Sequence, residues 1–426
     1  MSAVLADIAA TDARTWELKP LAEVADILDG KRVPVNAKER EKRQGPVPYY
    51  GATGQVGWID DFLFDEELVL LGEDGAPFLE TNKPKAYIIR GKSWVNNHAH
   101  VLRARAVPIA WLAHYLNVVR YDRLVTGTTR LKLTQAAMRQ IRVPVAPWHV
   151  MEQRVADLEK QFSRLDEAVA TLKRVKANLE RQAAAILSAA IGGELIDRAV
   201  LPANTERPEF APAIELPSGW SWASAAEVCE VVASGSTPKP EEMTSGAGEV
   251  PFIKVYNLGF DGSLDFNVKP TFIRRAIHDG QLARSRCLPG DVLMNIVGPP
   301  LGKVSLVPDS FPEWNINQAI VTFRVGPRIL NHLLAYWLMA PPLQRRIERT
   351  SKATAGQFNV QVSTCRKLVL PLPPLGEQAR IVAEVDRRLS IVREVEAEVD
   401  ANLKRAQALR QAVLARAFAA PGESGQ

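Results

Sequence analysis

Apolar residues recur at alternating three- and four-residue steps in two long stretches of the chain, 151–191 and 377–418. Neither stretch contains an internal glycine or proline, and the residues between the apolar positions carry charges of mixed sign. This spacing places the apolar side chains on one stripe of a helix, and a narrow stripe is typical of a coiled-coil seam. Because a long helix of this kind is not stable alone, the two stretches are predicted to pack antiparallel on each other. The seam positions are Val155, Leu158, Phe162, Leu165, Val169, Leu172 and Leu179 in the first helix and Val382, Val385, Leu389, Val392, Val395 and Val399 in the second.

The chain is internally duplicated, which decides its architecture. Residues 155–163 match 382–390 at an offset of 227, and 16–24 match 220–228 at an offset of 204. The larger offset also aligns the prolines that precede the two long stretches. Each half therefore has the same order: a block that opens on tryptophan, an exit bounded by prolines, and a long helix.

Short apolar runs broken by Gly, Asn and Asp predict strands in both blocks, with a helix in each at 109–119 and 330–339. The predicted fold class is α+β, with two mixed, strand-rich domains separated by a long antiparallel two-helix coiled coil and related by an internal pseudo-two-fold repeat. The predicted boundaries are an N-terminal segment 1–15, a first domain 16–148, a central helix 149–198, a proline-rich connector 199–219, a second domain 220–374, a C-terminal helix 375–420 and a tail 421–426.

Composition indicates a soluble chain with a weak preference for polyanions. The three cysteines have no paired spacing, which argues against a disulfide framework and a thiolate zinc cluster. No apolar run reaches the length of a membrane helix, and the N-terminus lacks a secretory signal. A cytoplasmic protein is therefore expected. The net charge of +5 is compatible with nucleic acid.

Motifs that would indicate catalysis are weak. The GPPLGK sequence at 298–303 lacks the spacing and the Ser/Thr of a phosphate-binding loop. His98 and His100 alternate on a predicted strand, where they are either two metal ligands or, as we prefer, histidines packed within a sheet. Glu73 and Asp74 between two glycines are either an acidic catalytic pair or, more simply, a tight hairpin turn. These features do not combine into an active site.

Basic and amide side chains instead indicate DNA binding, with an ordinary solvated or capped loop as the alternative at each place. A basic run at 30–45 is predicted to be one loop, a small hydroxyl-rich segment at 234–240 occupies the corresponding place in the second block, and 127–133 aligns with 354–360 near the two exits. Such side chains contact phosphates or base edges. The candidate DNA contacts are Lys31, Arg32, Lys38, Arg40, Lys42, Arg43, Thr128, Arg130, Lys132, Ser236, Thr237, Lys239, Lys254, Asn257, Lys352, Gln357 and Asn359.

These features together resemble the specificity subunit of type I restriction-modification systems. The resemblance covers nearly the whole chain and is carried by YYGATGQVG, LLGEDGA, GSTP, IKVYNL, INQAI and the two exits, most specifically by PLPPLGEQARIV at 371–382. The first exit differs from this pattern, since Glu-Gln is displaced by two residues and Trp148-His149 replaces Leu-Gly. That departure leaves the local start of the first helix open.

The resemblance implies two target-recognition domains that each read half of a bipartite, asymmetric site in double-stranded DNA, with the coiled coil setting the gap between the half-sites. It also implies docking of two methyltransferase subunits, which carry S-adenosylmethionine, and of restriction and translocase subunits that use ATP and Mg. No cofactor, metal or catalytic residue is expected on this chain, and no membrane partner. The alternatives are an enzyme with an unrecognised site, the recognition subunit of a type II enzyme with fused cleavage and methylation activities, and a coiled-coil scaffold that does not bind DNA.

Overall fold

The computed structural model describes residues 16–196, 207–208, 211–354 and 357–419, with the side chains of 352–357 left out. The predicted N-terminal segment and tail, together with much of the predicted connector, lie outside these residues. The described chain forms two compact units. Unit 1 holds the residues up to Arg174 and those from Val399 onward, and unit 2 is Val175–Glu398. Each long helix therefore contributes to both units, a division that the sequence did not predict.

Two helices of the described residues are much longer than the rest, Trp148–Ile191 (α5) with 44 residues and Leu375–Ala417 (α11) with 43. Both begin directly after a proline-bounded strand, with backbone N–H groups of their first turns bonded to the carbonyls of Pro147 and Pro374. The helices in chain order are α1 Leu21–Val24, α2 Ala37–Lys42, α3 Ile109–Leu116, α4 Gln135–Arg139, α5 Trp148–Ile191, α6 Ala225–Val228, α7 Arg275–Asp279, α8 Asn331–Met339, α9 Pro341–Thr350, α10 Val362–Arg366 and α11 Leu375–Ala417. No helix of the described residues is both long and apolar enough to span a membrane.

The two long helices pack antiparallel in each unit. In unit 1, Leu158 and Phe162 share a buried cluster with Leu414, and the Arg410 guanidinium lies 4.1 Å above the centre of the Phe162 ring. In unit 2, the Lys176 ammonium is 3.7 Å from the Glu396 carboxylate. Residues of increasing number on α5 thus contact residues of decreasing number on α11, as the predicted antiparallel pairing requires.

The buried apolar residues of α11 differ slightly from the predicted set. Val385, Leu389, Val392 and Val399 are buried as predicted, but Val395 is 41% exposed. Ile381 is fully buried, whereas its neighbour Val382 is only half-buried. In α5, Leu158, Phe162 and Leu179 are buried, and Val155, Leu165, Val169 and Leu172 are half-buried. An α-helix has 3.6 residues per turn, so a stripe counted in strict three- and four-residue steps drifts around it.

The atypical start of the first long helix is resolved by one buried side chain. In α11, Gln378 is fully buried, where its amide accepts from the N–H of Leu330 (2.9 Å) and donates to the carbonyls of Arg328 and Pro373. At the aligned place in α5 stands Met151, which is 1% exposed. An apolar side chain fills that space without needing hydrogen-bond partners. The helix therefore begins normally at Trp148.

Unit 1 contains two four-stranded sheets, a two-stranded ladder and a hairpin. The sheet orders are β2-β9-β6-β7, which is antiparallel throughout, and β4-β3-β8-β5, in which β3 and β8 run parallel. β1 pairs with β12, and β10 pairs with β11. The strands are β1 Glu17–Pro20, β2 Ala25–Ile27, β3 Val47–Gly51, β4 Gly54–Ile59, β5 Phe64–Asp65, β6 Leu68–Gly72, β7 Ala86–Ile89, β8 Lys92–Val95, β9 Ala99–Ala104, β10 Val125–Thr126, β11 Lys132–Leu133 and β12 Arg142–Val145.

Unit 2 repeats this arrangement with one added strand in each of two sheets. Its sheets are β14-β23-β19-β21, β15-β17-β16-β22-β18 with β16 and β22 parallel, and β20-β25-β24, and β13 pairs with β26. The strands are β13 Ser221–Ser224, β14 Cys229–Ser234, β15 Met243–Ser245, β16 Val250–Ile253, β17 Thr271–Ile273, β18 Arg286–Cys287, β19 Val292–Asn295, β20 Val297–Gly298, β21 Val304–Leu306, β22 Trp314–Ile316, β23 Ile320–Val325, β24 Lys352–Thr354, β25 Gln357–Asn359 and β26 Val369–Leu372.

The duplication is visible in the register of equivalent ladders. Glu17 pairs with Val145 in unit 1, and Ser221 pairs with Leu372 in unit 2. The two strands of this ladder follow the two sequence offsets: β1 and β13 are related by 204, and β12 and β26 by 227. The predicted α+β fold, with two strand-rich domains and a long antiparallel helix pair, is confirmed.

A buried tryptophan repeats as well. Trp111 on α3 donates from Nε1 to the carbonyl of Pro144 at 2.9 Å, and Trp337 on α8 donates to the carbonyl of Pro371 at 2.7 Å. Both indoles are almost fully buried. In each unit this bond fixes the short helix against the strand that leads into a long helix.

Candidate nucleic-acid interface

Four segments of unit 1 meet at one edge of the antiparallel sheet β2-β9-β6-β7, and we call residues 29–32, 73–75, 96–98 and 127–133 the unit 1 edge. Backbone hydrogen bonds join the last three of these segments, and the Asp29 carboxylate accepts from the N–H of Val101 on β9. The N–H of Glu73 bonds to the carbonyl of His98 (2.8 Å), and the N–H of Leu133 bonds to the carbonyl of Glu73 (2.7 Å). The turn at 73–75, the segment at 96–98 and the hairpin at 127–133 are unrelated features in the sequence. In the structure they form one surface.

A buried network of charged side chains underlies the unit 1 edge. His100 is fully buried, with Nδ1 at 2.7 Å from the Asp29 carboxylate and Nε2 at 3.0 Å from the carbonyl of Leu133. Both partners are hydrogen-bond acceptors, so both ring nitrogens are engaged. Arg32 donates to Glu73 at 2.6 Å and lies 3.5 Å from Asp29. Each buried carboxylate thus faces a cation.

Asp29 is held in its charged form by these contacts. Burial raises the pKa of this carboxyl, but hydrogen bonds from His100, the N–H of Val101 and the Gln135 amide, with the charge of His100, outweigh burial and leave the pKa below its usual value. The carboxylate is therefore a fixed structural anion.

Three residues of the same network could in principle bind a metal ion. Asp29, Glu73 and His100 place one potential ligand atom each within 4.8 Å of one another. However, Arg32 already bridges the two carboxylates, and both ring nitrogens of His100 are engaged. These residues therefore fit an internal ion network rather than a metal site.

The outer layer of the unit 1 edge consists of paired charges that face solvent. Asp74 Oδ1 lies 2.5 Å from Arg130 Nη2 and 2.8 Å from His98 Nδ1. Lys132 lies 3.3 Å from Glu73. Arg130 and Lys132 remain more than half exposed, and Thr128 at the hairpin tip is exposed. These predicted contacts are accessible and come together.

The basic run at 30–45 was wrongly predicted to be a single loop, because residues 37–42 form α2. Asn36 starts this helix by accepting a hydrogen bond from the N–H of Glu39, as an N-cap residue does. Lys31, Lys38 and Lys42 are exposed, as DNA contacts require. Arg32 instead belongs to the buried ion network, so its charge is committed within the fold.

The two arginines of this run are stacked on aromatic rings. Arg40 lies over the Tyr49 ring and Arg43 over the Trp94 ring, each 4.7 Å from the ring centre. Arg43 also bonds to Asp60 at 2.8–2.9 Å, and the hydrogen bond raises the pKa of its guanidinium. Both side chains are half-buried and held in defined positions.

Unit 2 has an edge of the same construction, formed by residues 235–239, 296–303 and 317–319 with strand β25, and we call it the unit 2 edge. The N–H of Ile296 bonds to the carbonyl of Ala319 (2.8 Å), and the N–H of Val360 bonds to the carbonyl of Ile296 (2.9 Å). These bonds repeat the two that pass through Glu73 in unit 1. The GPPLGK segment at 298–303 therefore corresponds to the turn that follows Glu73 in unit 1.

Neutral side chains hold the unit 2 edge together. Thr237 hydrogen-bonds Gln318. The buried Asn295 accepts from the N–H of Lys303 (2.8 Å) and donates to the carbonyl of Pro300 (2.8 Å). Hydroxyl and amide hydrogen bonds thus hold these loops in place, as ion pairs do in unit 1.

The remaining predicted contacts of unit 2 divide between exposed and buried positions. Lys239 and Asn359 are exposed, whereas Ser236, which accepts from Arg284 at 3.4 Å, and Lys254 are half-buried. Asn257 is a correction: it is 2% exposed, and its amide bonds the backbone of Lys254, Asp265 and Val268. It holds a loop and cannot reach a base. The side chains of Lys352 and Gln357 lie outside the described residues.

Sequence reasoning missed Asp74, His98 and Gln318 as members of these edges. The sequence offered His98 as a metal ligand or, preferably, a histidine packed within a sheet, and Asp74 as a catalytic group or, preferably, part of a tight turn. The available signal was the INQAI motif at 316–320, which contains Gln318, and the repeated position of both segments directly before β9 and β23.

Comparison with known proteins agrees with this geometry. A family model described as type I restriction modification DNA specificity domain matches twice, at residues 13–181 and 217–401. A type I restriction enzyme specificity subunit of Haemophilus influenzae is 35% identical over 144 residues, which are 34% of this chain and 36% of that protein. The EcoBI specificity subunit of Escherichia coli is 25% identical over 317 residues, 72% of this chain and 63% of that protein. The chain thus spans less than two thirds of the length of these relatives.

A solved structure shares the fold. It concerns complex assembly and conformational transition of the type I R-M system, and one of its chains superposes with a TM-score of 0.67 at 17% identity, covering 95% of this chain and 97% of that chain.

Proposed function

We propose that this chain, which belongs to the type I restriction-modification DNA specificity family, is the DNA-reading subunit of a type I restriction-modification complex. The unit 1 edge reads one half of an asymmetric bipartite site in double-stranded DNA, and the unit 2 edge reads the other half. The helix pair sets the spacing between the half-sites. Joining two readers in one chain multiplies two modest half-site affinities.

One observation carries the proposal: the same three-part backbone arrangement occurs twice and carries unlike side chains. The bonds through Glu73 and Ile296 are equivalent, yet the edge around Glu73 is ionic and the edge around Ile296 is built on amides and hydroxyls. A repeated frame with different side chains fits a target whose two halves differ in sequence. A non-DNA-binding scaffold would not need such exposed, positioned donors.

Backbone contacts and base contacts have different proposed sources. Exposed lysines on and beside α2 suit phosphates, because an ammonium acts as a point charge. The hairpin tip and the loops around it present the side chains that suit base edges. The proposed DNA contacts that remain accessible in the described residues are Lys31, Lys38, Arg40, Lys42, Arg43, Thr128, Arg130, Lys132, Ser236, Thr237, Lys239, Lys254 and Asn359.

The proposed partners follow from the same function. The duplicated pair of α5 and α11 offers two equivalent surfaces, which suits two methyltransferase subunits, and restriction and translocase subunits would complete the complex. S-adenosylmethionine, ATP and Mg belong on those partners in this proposal, and this chain is a non-catalytic subunit acting in the cytoplasm. The likeness to type I specificity subunits favours this function over a fused type II enzyme.

Mapping methylated adenines across a host genome, with and without this gene, tests the proposal. We expect one two-part methylated motif to disappear when the gene is removed. A methylome that does not change would refute the function. Reversal of charge at Lys38 and Lys42 is a second test, because a scaffold that does not touch DNA would keep its DNA association unchanged.

A further inference from the structure

Asp74 holds two side chains of the unit 1 edge in one place. Its Oδ1 atom is 2.5 Å from Arg130 Nη2 and 2.8 Å from His98 Nδ1, and Arg130 Nη2 is itself 3.3 Å from His98 Nδ1. Asp74 is only 21% exposed, because the turn that bears it pairs with the hairpin strand β11 through an isolated bridge to Lys132. The carboxylate is therefore a fixed anchor, while the arginine it holds projects outward.

The exposed part of Arg130 is the part that remains available. Its side chain is 61% exposed, and the guanidinium lies against Gly75, where Nε would be 3.4 Å from an added Cβ. Nε and Nη1 form no hydrogen bond with the residues that the structure describes. The guanidinium is thus tied to a carboxylate through Nη2, while the side chain as a whole stays mostly exposed and keeps Nη1, together with the second N–H of Nη2, as a planar fork of donors.

This geometry matches a guanine better than a phosphate. Two N–H groups of an arginine pair with O6 and N7 of guanine in the major groove. Fixing the guanidinium in advance lowers the ordering cost of that contact. A phosphate contact would not need such positioning, and the nearby Lys132, a single ammonium paired with Glu73 at 3.3 Å, already has the properties of a phosphate contact.

We propose that Arg130 reads a guanine in the half-site recognised by unit 1, and that Asp74 and His98 are positioning residues for it. The inference rests on the proposed function, since it deepens the role of the same edge. Asp74 has a further effect: its negative charge repels phosphates, so it discourages Arg130 from settling on the DNA backbone.

The test compares variants of the full chain, in complex with its methyltransferase subunits, by selection of bound DNA from a randomised library. Arg130→Ala removes the fork, and Arg130→Lys keeps the charge and N–H donors but not the planar fork. Asp74→Asn keeps the size of the anchor and removes its charge. Lys132→Ala is the matched control in the same hairpin, and Gln318→Ala is the control in unit 2.

In the wild-type complex, we expect one G·C pair in one half-site to be preferred about tenfold or more over other pairs. Arg130→Ala and Arg130→Lys should both abolish that preference and leave every other position unchanged. Asp74→Asn should lower the same preference by about threefold, the effect of one exposed ion pair. Lys132→Ala should weaken all sequences uniformly and reduce the salt slope by about one, and Gln318→Ala should alter only the other half-site.

Three results would overturn the inference. One is a motif that Arg130→Lys leaves intact, since the planar fork would then not be needed. Another is a relaxed position in Asp74→Asn that differs from the one relaxed in Arg130→Ala. The third is uniform weakening by both variants with thermal unfolding midpoints unchanged. Failure of the wild-type complex to select any two-part motif would refute the proposed function instead, so the two failures are distinguishable.

Discussion

Leu389 and Ile391 give a matched test of how α11 packs. They are isomeric side chains two positions apart on one helix, yet Leu389 is 4% exposed and Ile391 is 52% exposed. Leu389 faces a groove of unit 2 that is also lined by Leu179, Leu187 and Val392. Truncation of each residue to alanine therefore removes the same number of carbon atoms from opposite environments.

The expected magnitudes differ several-fold. Leu→Ala changes in cores cost about 2–5 kcal/mol of the free energy of unfolding, and the neighbouring groove lets the site relax, so we expect about 2–3 kcal/mol for Leu389→Ala. For Ile391→Ala, the loss of partly exposed surface is offset by the better helix propensity of alanine. That change should stay within about 0.5 kcal/mol.

Calorimetric unfolding of the full chain measures the difference. For a unit of this size, 1 kcal/mol corresponds to about 2–4 °C in Tm, so Leu389→Ala should lower the affected transition by about 4–12 °C, and Ile391→Ala should leave it nearly unchanged. Leu389→Met, which conserves volume, should cost less than about 1.5 kcal/mol. Equal losses for the two alanine variants would show that the buried stripe lies on another face of the helix.

Further outcomes are expected at three other places. Replacement of Trp111 or Trp337 by Phe removes a buried indole hydrogen bond and should cost about 1–3 kcal/mol in either unit; thermal unfolding checks this, and an effect in one unit alone would contradict their equivalence. Lys38→Ala combined with Lys42→Ala should lower the slope of log affinity for DNA against log salt by about two, and an unchanged slope would exclude both from the interface. Because the folded-state pKa of Asp29 is lowered, its stabilisation is present above about pH 4 and is lost as pH falls through the folded-state pKa. Asp29→Asn should therefore unfold with a flatter pH dependence below pH 5, and identical profiles would refute this.

The fold was predictable to the extent that it depends on periodicity and repetition. The two long helices follow from apolar spacing alone, and the duplication follows from matching segments such as 155–163 and 382–390. The face of α11 was less predictable, because Val395 continues the counted pattern but is exposed, whereas Ile381 is buried. The apolar character of a residue does not tell which of two adjacent helix positions near the edge of the stripe is buried, as Ile381 and Val382 show.

The site was predictable only in pieces. Arg130 and Lys132 could be singled out together from the sequence, since side-chain type and loop position are local properties, and the structure places both on one hairpin. The carboxylates that hold them, Asp74 and Glu73, lie nearly sixty residues earlier, and their approach depends on the pairing of β6 with β9 and of Leu133 with Glu73. Arg32 shows the reverse case, because a basic side chain in an apparently solvated run is drawn into a buried network.

Under the proposed function, one backbone frame serves two different readers because the backbone and the side chains have separate roles. The bonds that assemble each edge, from Glu73 to His98 and from Ile296 to Ala319, join N–H groups to carbonyls and so do not depend on which side chains are present. The side chains at those edges are therefore free to change without loss of the frame. An ionic set in unit 1 and an amide set in unit 2 are what independent change of two copies would produce, and the proposed pair of unlike half-sites requires this property.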